Sequence, residues 1–442
     1  MISEATKIQD TYQSAFSELQ ARDENQPSWL TRLRAAAMDR FEALGFPAVT
    51  DEEWKYTNVA AIARTSFALG TKTKTANVGL GGAAYPEAAN SRLVFVDGVF
   101  SQDLSSLSSL PGGVVTNFAE ALNDDKLVEL MREYLGRVVD YNENGFTALN
   151  TALISNGAVI RIPRATHLEA PLQLLFISTA NSDRIATFPR VFIVAEENSS
   201  ATIIESYTSN AGGPYFTNAV VEVVLKDGAK IKHYRVQDES HDAFHVGTTH
   251  AELARETSFD TTSISLGAKL ARHNVSVIMD EEGAACRVDG LYITGADQHT
   301  DTHSLIDHKR PHCTSRQLYK GILDGKSRAV FNGKVFVRHG ALATDAQQTN
   351  KNLLLSKEAH VDTKPQLEIF ADDVKCAHGA AIGQLNEDEL FYLESRGIHS
   401  DLARSLLTYG FAEEVISRIT VASIKTQLDE AVLNRLHARL EA

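Results

Sequence analysis

The chain is poor in cysteine, in tryptophan and in positive charge. Three cysteines, Cys286, Cys313 and Cys376, stand in 442 residues, too few and too scattered for a disulfide framework. A reducing cytoplasm is the compartment expected from that scarcity. Lys and Arg number 43 against 57 Asp and Glu, for a formal charge of -14, which argues against a nucleic-acid or anionic-membrane surface as the main partner. No apolar run approaches the ~20 residues of a membrane span, and the opening MISEATKIQDTYQSAFSEL lacks the basic and apolar segments of a secretory signal. Nucleotide motifs are missing too. Three residues separate Gly321 from Gly325 in GILDGKS where a Walker A loop needs four, so the stretch reads as a β-turn and no ATP site is expected on this chain. Gly79-Leu-Gly81-Gly-Ala-Ala84 has no strand before it and Pro86 after it, which removes it as a dinucleotide fingerprint. A G-x-S-x-G elbow and an H-E-x-x-H helix are also lacking.

What is present is hydrophobic periodicity of two kinds. Residues 1–145 read as a mainly helical N-terminal region. Ala15, Phe16, Leu19, Leu30, Leu33, Ala37, Phe41 and Leu44 recur at three- and four-residue spacing, as one helical stretch to about residue 44 that Gly45 and Pro47 stop. DEEWKYTNV (51–59) follows as a compact acidic and aromatic patch, 71–90 as a loop rich in Gly and Ala, 92–100 as a strand and 117–139 as an amphipathic helix. From 146 to 382 short alternating runs of Val, Ile, Leu, Phe and Tyr are separated by Gly, Asn, Asp and Ser, the signature of strands. A turn followed by a small residue recurs there at irregular intervals, as in Asp227-Gly-Ala, Glu282-Gly-Ala and His339-Gly-Ala. A parallel β-helix tolerates such drift, because each rung buries its inward side chains against its neighbours while insertions leave at the corners. A single sandwich of ~100 residues is too short for this span. Residues 383–442 turn helical again, with Asn386 as N-cap and Glu387, Asp388 and Glu389 in the first turn, where the helix dipole favours negative charge. Such helices suit closing the open end of a solenoid or docking a partner. The fold class expected is mainly β, a parallel β-helix core between helical N-terminal and C-terminal domains.

Two clusters carry candidate chemistry. Cys376 and His378 are two residues apart after a strand-like run, so an extended chain points both to one face. A thiolate beside an imidazole suits zinc, copper(I) or iron in a sulfur-rich site; a buried thiol beside a satisfied histidine is the plainer reading. The second cluster, from His299 to Cys313 and including Asp301, His303, Asp307, His308 and His312, can present His299, Asp301 and His303 on one strand face as zinc ligands. Its alternatives are solvated or backbone-bonded histidines, or a hydrolytic pair from Asp301 and Asp307.

Four segments carry a resemblance that favours function for the Cys376-His378 pair and leaves the second cluster open: DEEWKYT (51–57), HSLIDHKRPHCTSRQLYKGILDGKSRAVFNGKVFV (303–337), QTNKNLLLS (348–356) and ADDVKCAHGAAIGQLNEDELFYLESRGI (371–398). From residue 51 to its end the chain resembles the SufB/SufD family of scaffold subunits of iron-sulfur cluster assembly. The EEWKYT segment and the scarcity of cysteine resemble the SufD branch more than the SufB branch. The resemblance implies a right-handed parallel β-helix and a non-catalytic scaffold. It also implies pairing with a SufB-like paralogue through the β-helix ends, and docking of a SufC-like ABC ATPase on the C-terminal helices. ATP hydrolysis in that partner is expected to rearrange the paired interface and expose the site where the cluster forms. Sulfur arrives indirectly, from a cysteine desulfurase through a transfer protein, and a homodimer of the isolated chain is compatible with the family. Carried over residue by residue, His378 matches the family's interface histidine and is the candidate transient iron ligand. Cys376 matches the cysteine beside it, and the nascent iron-sulfur cluster would be transient and shared with the SufB-like partner. Cys286 and Cys313 are expected to be packing residues.

Overall fold

Alternation of inward and outward side chains, repeated strand after strand, closes the middle of the chain into a two-sheeted parallel β-solenoid. The structure is a computed structural model describing residues 4–22, 26–70, 78–108, 115–179, 184–210 and 212–437. The N-terminal region comprises α1 (Glu4–Arg22), α2 (Ser28–Leu44), α3 (Ala60–Arg64), β1 (Ala68–Leu69), β2 (Arg92–Val96), β3 (Val99–Ser106), β4 (Val115–Asn117), α4 (Phe118–Ala121), α5 (Asp125–Tyr134) and α6 (Gly145–Ala152). The solenoid strands follow as β5 (Gly157–Ile162), β6 (Leu172–Ser178), β7 (Ile185–Thr187), β8 (Arg190–Ala195), β9 (Ser200–Ser209), β10 (Phe216–Leu225), β11 (Lys230–Asp238), β12 (Phe244–Leu253) and β13 (Ser258–Ser265). They continue as β14 (Leu270–Met279), β15 (Ala285–Thr294), β16 (His299–His308), β17 (Thr314–Leu323), β18 (Arg328–Val337), β19 (Thr344–Leu354), β20 (His360–Ile369) and β21 (Val374–Gly383). Three helices close the described chain: α7 (Glu387–Ser395), α8 (Ser400–Ile416) and α9 (Ala422–His437).

Strands alternate between the sheets. The first sheet runs β4-β5-β8-β10-β12-β14-β16-β18-β20, and the second runs β3-β2-β6-β9-β11-β13-β15-β17-β19-β21. Solenoid neighbours are parallel and in register, so inward residues stack in columns such as Cys286, Ser315, Ala346 and Cys376. The interior is filled by residues such as Ile203, Ile231, Phe259, Val277, Tyr292 and Val335, each worth roughly 1.5–3 kcal/mol when fully buried.

The recurring turn motif marks the corners. At one corner of successive rungs Asn198, Gly228, Glu256, Gly283, His312 and Ala343 all have positive φ. Their N–H groups donate to Asp227, Arg255, Glu282, Pro311, Leu342 and Asp373 carbonyls of the following rung, at 2.7–3.3 Å. Gly228 and Gly283 reach this conformation without a Cβ penalty; at the other corners the hydrogen-bond ladder holds an ordinary residue in it. Ala229 and Ala284, just after the turn, are fully buried, which is why the motif demands a small residue.

Both ends of the chain pack on the outside of the solenoid. Tyr12, Phe41, Trp54, Ile62, Phe67 and Phe146 bury the outer face of the first sheet against Phe188, Phe216, Phe244 and Leu270. Further along that face, α4 and α5 cover Val159, Phe192, Val194 and Val224. On the second sheet Tyr234, Val236, Ile264, Leu291, Ile293 and Leu318 lie under Val415, Ile416, Ile419, Ile424, Leu428 and Val432.

Several local expectations change. The continuous helix to residue 44 is two helices, the second starting after Pro27 as N-cap; residues 1–3 and 23–25 lie outside the described residues. The strand at 92–100 is a hairpin, turning at Asp97 and Gly98 with φ of 49° and 79°. Asp124 splits the helix expected at 117–139, its side chain accepting from Lys126 and Leu127 N–H groups. Residues 146–152 are helical and buried rather than the start of the β-texture. In the loop expected at 71–90, residues 71–77 lie outside the described residues, and 81–83 and 86–88 form short 3-10 turns. The C-terminal helices do not close the end of the solenoid; α8 and α9 lie along its flank, because the outward side chains of the second sheet are apolar and need a cover.

Candidate functional site

Because the terminal helices run along the flank, the last rung is open. Among the described residues β20 pairs only with β18, and β21 only with β19, so each leaves a row of backbone donors and acceptors facing outward along the solenoid axis. The apolar core continues to this edge through Leu367, Val374 and Cys376. Ile369, Phe370 and Ile382 beside it are 40–49% exposed. An unpaired edge of this kind is a template for another strand.

Cys376 and His378 lie on β21, opposite Ala346 and Gln348 of β19, on one face and about 7 Å apart along the strand. The structure brings the two to the same face of the outermost strand. Cys376 is half-buried against the core and His378 is exposed. Burial, with a smaller effect of Asp345, raises the Cys376 thiol above its ordinary value against the opposing backbone hydrogen bond at Ala346. In the chain alone it is therefore a neutral thiol at pH 7. Two donors cannot complete a metal or cluster site, so further ligands must come from elsewhere.

The histidine cluster has another role. His299, Asp301 and His303 do share the outer face of β16, and what meets them there is the 51–59 segment. Thr57 Oγ donates to Asp301 Oδ2 at 2.6 Å, and lies 2.9 Å from His299 Nε2; its one proton being used, it accepts the imidazole N–H. Arg272 pairs with Asp301 at 2.9 Å, donates to the Glu53 carbonyl at 2.6 Å and stacks 3.7 Å from the centre of the Trp54 ring. His303 bridges Glu53 at 3.0 Å and Asp301 at 3.2 Å, and Lys364 pairs with Glu52 at 2.8 Å. Burial alone would raise the Asp301 carboxyl, but Arg272 and His303 hold it well below the usual range. Burial would likewise lower His303, yet Asp301 and Glu53 raise it. The zinc reading of this cluster thus gives way to a latch that fastens the N-terminal region to β14, β16 and β20. Among the described residues no group of three or more His, Cys, Asp and Glu is arranged to hold a metal ion.

The hydrolytic reading fails on distance. Six residues along one strand separate Asp301 from Asp307 by roughly 20 Å, whereas a glycosidase pair needs ~5–9.5 Å. Asp307 is occupied by a two-point pair with Arg338 at 2.9 and 3.0 Å. Cys286 and Cys313 are buried and unpaired. GILDGKS spans the end of β17 and the turn before β18, with Gly325 at φ 61°. Sequence reasoning missed Arg272, Thr57 and Trp54 as a unit; the compact 51–59 patch was their signal, but nothing in the chain marked Arg272 as its receiver.

A second surface lies on the C-terminal helices. Phe391, Tyr392, Leu402 and Leu406 are 46–72% exposed, and α7 has no buried residue. Among the described residues, no helix is long and apolar enough to cross a membrane.

Comparison with known proteins agrees along the chain. The family model for the SUF system FeS cluster assembly SufBD core domain matches residues 176–411, and that for the SufBD protein N-terminal region matches 6–174. An iron-sulfur cluster assembly SufBD family protein of Synechocystis sp. is 38% identical over 433 residues, 94% of each chain. The iron-sulfur cluster assembly protein SufD of Escherichia coli is 32% identical over 406 residues, 90% of each. Protein ABCI7, chloroplastic, of Arabidopsis thaliana is 33% identical over 408 residues, 90% of this chain and 84% of that one. On the matched models and the reach of these identities, the chain belongs to the SufBD family of iron-sulfur cluster assembly proteins.

Proposed function

We propose that this chain is the non-catalytic, SufD-like scaffold of a cytoplasmic Suf assembly machine. It pairs through the open rung with a SufB-like paralogue and carries a SufC-like ATPase on the exposed apolar surface of α7 and α8. The observation that carries this reading is the edge itself, an unpaired strand presenting His378 and Cys376 with an apolar surround and too few ligands to hold a cluster alone. The iron-sulfur cluster is cargo, assembled where the partner's residues complete the set. His378 is the transient iron ligand of this chain, since a neutral imidazole is a competent ligand for iron. Cys376, a neutral thiol in the isolated chain, becomes useful when iron displaces its proton. ATP binding and hydrolysis reside in the SufC-like partner, whose rearrangement opens the joint to sulfur delivered from a cysteine desulfurase through a transfer protein. The three unpaired cysteines suit a reducing compartment.

The test is His378→Ala in cells that depend on this machine, with tagged chain recovered in parallel. Co-purification of the paralogue and ATPase should persist while iron-sulfur enzyme activity falls by about tenfold or more. Unchanged activity would remove His378 from the assembly site, and a chain recovered without either partner would remove the scaffold reading.

A further inference from the structure

Within the solenoid a ladder of side-chain amides runs toward the open rung. Gln317 on β17 donates Nε2–H to Ser304 Oγ at 2.8 Å, and Gln348 on β19 donates Nε2–H to Gln317 Oε1 at 2.7 Å. The ladder has a direction, with donors pointing back into the solenoid and the Gln317 carbonyl meeting the rung beyond. At Gln348 it stops. This residue is 1% exposed, and its Oε1 is buried without a hydrogen-bond partner. The residue in register with it on the next strand is His378. In-register parallel strands stand about 4.8 Å apart, the spacing at which amides ladder from strand to strand. The amide lies over Gly333, where a Cβ would come within 2.5 Å of Gln348 Nε2. The glycine admits the amide to the lumen. Cys376 has only Ala346 in the equivalent place.

We propose that Gln348 is a positioning residue for His378: its Oε1, unpartnered in this structure, accepts one ring N–H when the imidazole turns toward it, fixing the tautomer and turning the other nitrogen's lone pair outward to the assembling cluster. The assignment deepens the reading of His378 as the edge ligand and rests on it. A ligating imidazole commonly donates its second N–H to an acceptor that orients the ring, and loss of that acceptor costs 10–100-fold in affinity or activity. An amide supplies orientation without adding a buried negative charge to the lumen.

The experiment is 15N-histidine NMR on the full chain, with His378→Ala identifying the resonances, alongside cluster delivery in cells. Wild type should show one His378 tautomer. Gln348→Met, which keeps bulk and removes the acceptor, should show both tautomers and lower cluster delivery about tenfold or more, with partner co-purification retained; the lost Gln348–Gln317 hydrogen bond lowers melting, and Gln317→Met, which breaks the same bond, controls for that loss. Gln348→Glu restores an acceptor, the Gln317 amide being free to turn because Ser304 can donate as well as accept, and should restore the single tautomer. Gln317→Met leaves Gln348 Oε1 in place and should keep that tautomer even if Gln348→Met folds poorly. An unaltered tautomer in folded Gln348→Met, or lost delivery with an unaltered tautomer, would overturn the assignment. Full delivery by His378→Ala would instead overturn the site reading, leaving the tautomer to decide on Gln348 alone.

Discussion

Replacing Arg272 with Met should destabilise the latch in a manner whose pH dependence identifies the cause. Met keeps apolar contact with Trp54 and removes the charge that Asp301 faces at 2.9 Å. Removing one partner of a buried ion pair costs roughly 3–5 kcal/mol; His303 still touches Asp301, so about 3 kcal/mol is expected at pH 7. In the wild type the Asp301 carboxyl is depressed, so its contribution is present above its unfolded value and lost as pH falls through the folded one. Without Arg272 the carboxyl rises relative to wild type, since burial is then opposed by His303 and Thr57 alone, and the penalty grows as pH rises. The difference between variant and wild type should therefore shrink as pH falls through the acid range, where the variant's Asp301 takes up a proton before the wild type's does. Urea unfolding followed by tryptophan fluorescence measures this directly, because the two tryptophans, Trp29 and Trp54, both lie in the N-terminal region. A penalty below about 1 kcal/mol at pH 7, or one that does not change with pH, would refute the reasoning.

Leu406→Asp alters a side chain that is 46% exposed, so melting should move by no more than about 0.5 kcal/mol while ATPase affinity, measured by titration, falls about tenfold or more. Val415→Asp, at a fully buried position of the same helix, should unfold α8 from the solenoid by circular dichroism. Because burial raises the Cys376 thiol, iodoacetamide should modify it slowly at pH 7, with the rate still climbing about tenfold per pH unit up to pH 9, and a bound paralogue should block the reaction.

The solenoid was legible because its corners repeat. Small residues after turns, as at Ala229 and Ala284, are demanded by close approach between rungs, and that demand survives irregular spacing. The shared face of Cys376 and His378 was legible from the period of two alone. The flank position of the C-terminal helices was harder to see, although Tyr234 and Val236 alternate with His233 and Arg235 in a strand that is apolar on its outer face. A strand covered on both sides has such an outer face, and the interior polar residues hid the pattern. The Asp97-Gly98 hairpin carried the strongest short turn signal there is but sat inside a run of apolar residues that read as one strand. The latch was least legible, since its two halves are more than 200 residues apart and meet only when the rungs stack.

The open strand β21 presents its side chains with a period of two, and this makes the proposed joint sensitive to phase. A partner strand that pairs with it one residue out of place turns every side chain it meant to present toward His378 to the opposite side. Area and apolar content would be nearly unchanged by that error, while the ligand set would vanish. On the proposed function, the joint would therefore be selected by alignment, as a key is by its notches, and a paralogue that binds tightly in the wrong phase would be an inhibitor of assembly.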